Sequence, residues 1–281
     1  MKVLNLKKIA FYSMIAAAFV ACKDDSEDPV DDGSGGGGNG GTPTVTCRLM
    51  SSEEVSDSSQ QNLNYVYNSS LQLIKVEDID PSTGDIYSID SLVYDGSGMI
   101  SEVHTVNTNS NDNSVVNYNW DGDNLVSATE TRNGETTSYT FTYDGSGKLS
   151  TYTATNNGQS EYWEVVSWNG NNIDTVRFDF SGNQTMFVNM VATFDDKKNV
   201  ARHAVPYPDD MIEWVNENNI KLVTTAEEVD FGGGPMPAGT IVLDREYTYT
   251  SEDEVATQID NPSAFDPQEP VRTTTYTYAC D

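Results

Sequence analysis

Cys22 is the residue of this chain whose neighbours point most directly to a chemical modification. Residues 1–21 carry Lys2, Lys7 and Lys8 near the start, continue with an apolar run from Ile9 to Val20 and end on the small residue Ala21. This order is typical of an export signal that is cleaved before a cysteine, whose thiol then carries a lipid. About a dozen apolar residues are too few to cross a hydrocarbon core, which needs about 20. We therefore predict a lipoprotein signal peptide over residues 1–21 and lipidation at Cys22.

Oxygen ligands suited to calcium cluster in two predicted loops. Closely spaced carboxylate and hydroxyl oxygens are the donors that calcium accepts. The candidate ligands are Asp78, Asp80, Ser82, Asp85, Asp121 and Asp123. The alternative is that these side chains are solvated and cap their own turns. Calcium is the metal we consider here, and the sequence indicates no other cofactor.

Residues that could support catalysis are few. The 2 histidines, His104 and His203, have no nearby cysteine or histidine that could complete a transition-metal site. The Gly-Ser-Gly segments of the chain fit turns rather than a nucleophile elbow. Among 44 acidic residues, pairs of neighbouring carboxylates are expected by chance. We predict that the protein is not an enzyme.

Trp163 is the candidate ligand-binding residue. Tyr162, Val166 and Trp168 share one parity along a predicted strand, whereas Trp163 and Val165 have the other. Because successive side chains of a strand point to opposite faces, we expect Trp163 on the outer face of the sheet. An aromatic ring there can stack on a sugar ring, or it is covered by a loop or a partner.

Two cysteines remain if Cys22 is lipidated. Cys47 and Cys280 lie at the two ends of the predicted folded region. In an exported protein this arrangement predicts a disulfide. Closing a loop of this length would stabilise the folded state by roughly 4–5 kcal/mol. The alternative is two buried free thiols.

Residues 22–46 are predicted to be a flexible, acidic and glycine-rich tether. Between Asp24 and Pro43 the only large apolar side chain is Val30, and residues 33–41 are mostly glycine, so the segment cannot bury a core. The chain has 15 basic and 44 acidic residues, a net charge of −29. Such a charge repels nucleic acid, which we exclude as a partner.

The remaining chain, residues 47–281, is predicted to be a single domain built from repeats, clearest over residues 67–200. Each repeat has an aromatic anchor, then Asp or Asn, a turn and an aliphatic residue. The anchors are Tyr67, Tyr94, Trp120, Tyr143, Trp168 and Phe194, at spacings of 27, 26, 23, 25 and 26 residues. A fixed period of this size indicates a stacked supersecondary unit.

Each repeat is predicted to form a β-hairpin. Tyr139, Phe141 and Tyr143 alternate with threonines, as in a strand with one buried face. After each turn the aliphatic residue is followed three positions later by another apolar one, as in Leu149 and Tyr152, which predicts a bulge. We therefore expect an all-β fold, an antiparallel meander of about 10–14 strands curled into a half-barrel or shell, with one short helix near residues 209–215.

The repeat resembles the tyrosine-aspartate (YD) repeat of the Rhs type. The resemblance rests on Tyr143-Asp144-Gly145-Ser146-Gly147-Lys148-Leu149, followed by Tyr152 and the turn Asn157-Gly158. Together with the lipidation site, the acidic segment Lys23–Asp28 and the glycine run, the chain is similar to uncharacterised surface lipoproteins of Bacteroidetes type. That resemblance implies an antiparallel sheet domain with no known activity.

These features predict a lipid-anchored protein of the outer membrane, exposed at the cell surface. The function we expect is a non-catalytic binding module for an extracellular glycan or protein. The alternative is a structural or assembly protein of the outer envelope that uses its curved sheet or its edge strands.

Overall fold

The computed structural model describes residues 46–179, 187–203, 205–230, 235–264 and 267–280. Its main feature is one antiparallel sheet of 16 strands that closes into a barrel. The sheet runs as a meander, with consecutive strands paired, and the first strand pairs with the last. The signal peptide, Cys22 and the tether up to residue 45 lie outside the described residues.

The barrel strands and one short hairpin have the following bounds. They are β1 Cys47–Val55, β2 Gln60–Tyr67, β3 Leu73–Ile79, β4 Ile86–Tyr94, β5 Ile100–Asn107, β6 Ser114–Asp121, β7 Asn124–Arg132, β8 Glu135–Tyr143, β9 Leu149–Asn156, β10 Gln159–Asn169, β11 Asn172–Asp179, β12 Phe187–Lys198, β13 Asn218–Thr225, β14 Val229–Asp230, β15 Pro235–Met236, β16 Ile241–Tyr249, β17 Val255–Asn261 and β18 Arg272–Cys280. The short strands β14 and β15 form a separate hairpin.

The all-β antiparallel meander is confirmed, but two parts of the prediction are wrong. The barrel has 16 strands instead of 10–14, and it is closed instead of a half-barrel or shell. The recognisable anchors end at Phe194, whereas the hairpin pattern continues through β13 and β16–β18. These further strands bring β18 beside β1, and their pairing closes the sheet.

The predicted bulge is present after the anchor turns. Tyr143 pairs with Leu149, but Thr142 pairs with Thr151, so Ser150 is an extra residue. The same one-residue shift follows the turn after the anchors Tyr67, Tyr94, Trp120 and Trp168. The bulge keeps both apolar residues of the repeat inside the barrel, which explains their spacing of three.

The polar tips of the five tyrosine and tryptophan anchors have a common role. The hydroxyl of Tyr143 donates to the carbonyl oxygen of Leu125, the aliphatic residue of the preceding repeat, at 2.9 Å. The β7–β8 ladder begins only at Ser127, so this carbonyl has no strand partner on that side. Equivalent bonds join Tyr67 to Leu49, Tyr94 to Leu73, Trp120 to Ile100 and Trp168 to Leu149. The repeat therefore uses Tyr or Trp because both supply a donor at the end of a large apolar ring.

Aspartate side chains close the β4–β5 and β8–β9 turns. In the β8–β9 turn, the Asp144 carboxylate accepts bonds from the backbone N–H and the hydroxyl of Ser146 and from the N–H of Lys148, at 2.7 to 3.0 Å. Gly147 has a φ of 80°, a conformation that glycine adopts without steric penalty. This geometry accounts for the Asp-Gly-Ser-Gly sequence.

Inward-facing side chains near the anchor turns form the main core. Buried members include Leu49, Leu73, Val103, Leu125, Phe141 and Leu149. Outward-facing side chains are mostly polar. On β7, β8 and β9 they are Ser127, Thr129, Thr131, Thr136, Ser138, Thr140, Thr142, Thr151, Thr153 and Thr155.

A segment between β12 and β13 fills the barrel at the end that carries the anchor turns. We call this segment, residues 199–203 and 205–217, the plug, and we call this end the plug end; the opposite end is the far end. The helix predicted near residues 209–215 is confirmed as α1, Met211–Trp214, which follows a 3-10 turn at Pro208–Asp210. Val205 and Met211 are fully buried in the core.

A disulfide joins Cys47 and Cys280 at the seam of the barrel. The two residues lie opposite each other where β1 begins and β18 ends. Because both are at the plug end, the chain enters and leaves the barrel there.

Candidate binding site at the far end of the barrel

The inner wall of the barrel changes from apolar to polar towards the far end. Towards the far end, the strand register places polar side chains on the same inner face as the core residues. They are Glu54, Gln61, Asp78, Asp90, Thr105, Asn107, Ser114, Glu130, Arg132, Thr137, Asn156, Glu161, Asp260, Arg272 and Thr274. Carboxylates outnumber arginines in this set. The far end is therefore the part of the lumen with the chemistry to bind a polar ligand.

Part of this wall is occupied by the plug. Asp90 is buried and accepts a hydrogen bond from Thr105 at 2.6 Å and another from the plug residue Tyr207. Burial raises the pKa of the Asp90 carboxyl above its usual range. These contacts fasten the plug to β4 and β5.

A second polar contact joins the plug to the opposite wall. The guanidinium of Arg245, only 4% exposed, pairs with Asp260 at 2.7 Å and with the plug residue Glu213 at 3.1 Å. Beside it is a cavity of about 60 Å³, lined in part by Asp210 and Trp214. This volume holds a few water molecules and excludes a sugar or a peptide. Burial, with the charge of Glu213, raises the pKa of Asp210 well above its usual range.

The wall formed by β7–β10 is more open. It carries a group that we call the tryptophan shelf: Glu130, Thr137, Asn156, Glu161 and Trp163. These side chains come from adjacent strands, since Glu130 pairs with Thr137 and Thr137 with Asn156. The members are exposed or partly exposed.

Hydrogen bonds and ring contacts order the tryptophan shelf. Trp163 donates from its indole nitrogen to Glu161 at 2.8 Å, and its ring lies 4.3 Å from that of Phe178. Asn156 donates to the Thr137 hydroxyl at 2.7 Å. The Trp163 ring therefore lies beside the Glu161 carboxylate, while the Asn156 amide and the Thr137 hydroxyl lie further along the same inner wall towards the far end. This set of groups suits a neutral polar ligand with apolar faces.

The position predicted for Trp163 on the outer face is wrong. Trp163 pairs with the inward residues Tyr152 and Phe178. The β10–β11 register shifts between Val165 and Ser167 and again before Trp168, so parity is not kept along β10. The bulge allows Trp163 and Trp168 to lie on the same inner face although they are five positions apart.

The aromatic residue that does lie on the outer face of β10 is Tyr162. Its ring meets that of Phe187 edge to face, with centroids 6.4 Å apart. Arg177 lies over the Phe187 ring at 5.8 Å and pairs with Glu164 at 3.2 Å. This cluster is a small apolar feature on a polar outer wall.

The two predicted calcium loops lie at opposite ends of the barrel. Asp121 and Asp123 belong to the β6–β7 turn at the plug end, whereas Asp80, Ser82 and Asp85 form the β3–β4 loop at the far end. Among the described residues there is no group of three or more acidic, histidine or cysteine side chains placed to hold a metal.

Asp80 and Asp78 have partners within the protein. Asp80 accepts bonds from the N–H and hydroxyl of Ser82 at 2.8 and 2.7 Å and from the Tyr87 hydroxyl at 2.9 Å, and these bonds lower its pKa. Asp78 accepts a bond from Gln61 at 2.9 Å inside the barrel. Asp78 therefore lies in strand β3 and faces the inside of the barrel, whereas Asp80 closes the β3–β4 turn. Calcium binding stays a prediction.

The polar members of the tryptophan shelf were missed by the sequence analysis. Their signal is parity: Thr137 has the parity of Tyr139 and Phe141, and it must face inward if they do. A polar residue that continues an apolar alternation marks the place where the lumen becomes polar.

Comparison with known proteins identifies the fold. No protein-family model and no curated protein matches the chain. A porin-like protein from Bacteroides uniformis is similar in structure, with a TM-score of 0.51 and 15% identity over 84% of this chain and 97% of that chain. A porin-like protein from Bacteroides vulgatus gives a TM-score of 0.51 and 9% identity over 83% and 99%. The chain shares the barrel fold of these proteins.

The YD-repeat resemblance and the lipoprotein assignment stay predictions. Within the described ranges, no helix is both long and apolar enough to cross a membrane.

Proposed function

We propose that this protein is a lipid-anchored, non-catalytic binding module of the outer membrane, exposed at the cell surface, and that it binds a neutral glycan on the tryptophan shelf. The observation that carries the proposal is the direction of the barrel. The chain enters at Cys47, at the end closed by the plug, so a tether from Cys22 holds that end towards the membrane. The far end, with Trp163 on its inner wall, then faces the surroundings.

The polar outer wall supports a barrel that lies outside the bilayer. A transmembrane barrel presents an apolar band outwards and polar residues to its lumen. Here serines and threonines occupy the outer face of β7–β9, while the core of leucine, valine and aromatic side chains is inside. The lipid on Cys22 would therefore be the attachment to the membrane.

The chemistry of the tryptophan shelf favours a neutral ligand. A sugar presents an apolar face that stacks on indole and hydroxyls that pair with planar amide and carboxylate groups. The carboxylates of Glu130 and Glu161, in a chain with a net charge of −29, repel uronic acids and sulfated sugars. We expect binding without a metal or any other cofactor.

A second candidate is an assembly protein of the outer envelope. Such a protein could not use an edge strand of the described barrel, because the closed 16-stranded sheet leaves none free for a partner. What favours this candidate is the cluster of Tyr162, Phe187 and Arg177 on the outer wall, which could contact another envelope protein.

The neighbouring residues Trp163 and Tyr162 distinguish the two functions, because one lies inside the barrel and the other outside. The test uses the mature chain with Cys22→Ser, a panel of neutral and acidic oligosaccharides, and thermal unfolding as the readout. We expect neutral oligosaccharides to stabilise the wild type and Tyr162→Ala but not Trp163→Leu, which keeps apolar packing on Phe178. A co-purifying envelope protein that is lost with Tyr162→Ala would instead support assembly.

A further inference from the structure

The corner of the barrel where the chain enters is a two-stranded ribbon. Residues Cys47–Leu49 of β1 pair with Tyr278–Cys280 of β18. The ladder between β1 and β2 begins only at Ser51, and the ladder between β17 and β18 ends at Thr275. Each strand of the ribbon is therefore paired on one side only.

Such a ribbon is weak without a further connection. Isolated two-stranded sheets are marginally stable in water, and a register shift after Leu49 interrupts the pairing with β18. Burial of the Leu49 side chain and the 2.8 Å bond from the Tyr67 hydroxyl to its carbonyl oxygen hold one point of the ribbon. The disulfide between Cys47 and Cys280 lies one step further out, at its tip.

We propose that this disulfide is a mechanical clamp for the tether. A pull on the segment before Cys47 would act on β1 alone if the disulfide were absent, and it would strip the ribbon first because its pairs are the outermost. With the disulfide the same pull reaches Cys280 and is shared by β1 and β18. The use of the clamp in the cell rests on the proposed tether, but the clamp itself requires neither lipid nor ligand.

Force spectroscopy tests the clamp directly. The mature chain with Cys22→Ser is held by its N-terminus and by a peptide handle inserted after Thr83 in the far-end loop, with or without Cys47→Ser and Cys280→Ser. We expect the serine variant to show an early extension from release of the 9 residues of β1 before the barrel unfolds. The disulfide form should lack this event at the same force. The same early event at the same force in both forms would overturn the proposal.

Hydrogen exchange provides a second measurement that needs no variant. Exchange is followed in the native protein before and after reduction of the disulfide. We expect amides of Cys47–Leu49 and Tyr278–Cys280 to exchange at least tenfold faster after reduction, with amides of β8 unchanged. Unchanged ribbon amides, or equal acceleration in β8, would contradict a local clamp. Both measurements are independent of glycan binding, so their failure leaves the proposed function untouched.

Discussion

Removal of a single hydroxyl, in Tyr143→Phe, tests why the repeat uses its anchor. The Tyr143 hydroxyl is 2.9 Å from the carbonyl oxygen of Leu125, a residue that is only 1% exposed. An ordinary hydrogen bond contributes about 1 kcal/mol to stability, and a buried acceptor left without a partner costs about 1–3 kcal/mol. Since this carbonyl has no partner in the β7–β8 ladder, we expect a loss of about 2 kcal/mol.

Urea unfolding of the mature chain measures this loss, with Tyr162→Phe as the matched control. Tyr162 lies on the outer wall and contacts Phe187 through its ring, so removal of its hydroxyl should change the free energy of unfolding by less than about 0.5 kcal/mol. Tyr67→Phe and Tyr94→Phe should behave like Tyr143→Phe, because their hydroxyls make the same bond. A Tyr143→Phe protein as stable as the control would refute the role that we assign to the anchors.

The remaining predictions concern a turn, alkaline pH and a buried ion pair. Gly147→Ala should destabilise the protein by about 1–2 kcal/mol in urea unfolding, because Gly147 has a φ of 80°. The control is Gly145→Ala, at a glycine without positive φ, which should change stability by less than half as much. Burial raises the pKa of Tyr67 and Tyr143 to about 12, compared with about 10 in the unfolded chain. Their contribution to the free energy of unfolding is therefore complete below pH 10 and should be lost as pH rises to about 12. Absorbance that shows these two tyrosines ionising at pH 10 in the folded protein would contradict this. Arg245→Met should cost about 3–5 kcal/mol, measured by the same urea unfolding, because it leaves Asp260 buried without its ion-pair partner, and an unchanged unfolding midpoint would exclude this role.

Local patterns in the sequence determine much of the fold. The alternation of Tyr139, Phe141 and Tyr143 predicts the inner face of β8, and the three-residue spacing of Leu149 and Tyr152 predicts the bulge that the structure contains. Both are consequences of strand geometry within one hairpin, so they can be derived without knowledge of the rest of the chain.

Closure of the barrel could not be derived in the same way. It depends on pairing between Cys47–Val55 and Arg272–Cys280, which are far apart in sequence and carry no anchor repeat that was recognised. The predicted number of 10–14 strands fell short of the 16 that close the sheet. The prediction of a half-barrel therefore failed through a count of strands rather than through their type.

Side-chain alternation along β10 gave the wrong face for Trp163 in the candidate site. The prediction selected Trp163 but placed it outside, because it assumed an uninterrupted alternation from Tyr162 to Trp168. The bulge between Val165 and Ser167 breaks that alternation, and its position depends on the pairing with β11. Bulges after the anchor turns follow a repeat pattern, whereas this one does not, so the sequence carried no signal for it.

Glycan binding on the tryptophan shelf can be measured with a glycan array probed in parallel with the wild type, Trp163→Leu and Tyr162→Ala. We expect the wild type to bind neutral oligosaccharides in preference to uronic or sulfated ones. We expect Tyr162→Ala to bind the same set, and Trp163→Leu to bind none while its unfolding remains cooperative. If Trp163→Leu bound the same glycans as the wild type, or if the wild type bound no neutral glycan, there would be no binding site on the tryptophan shelf.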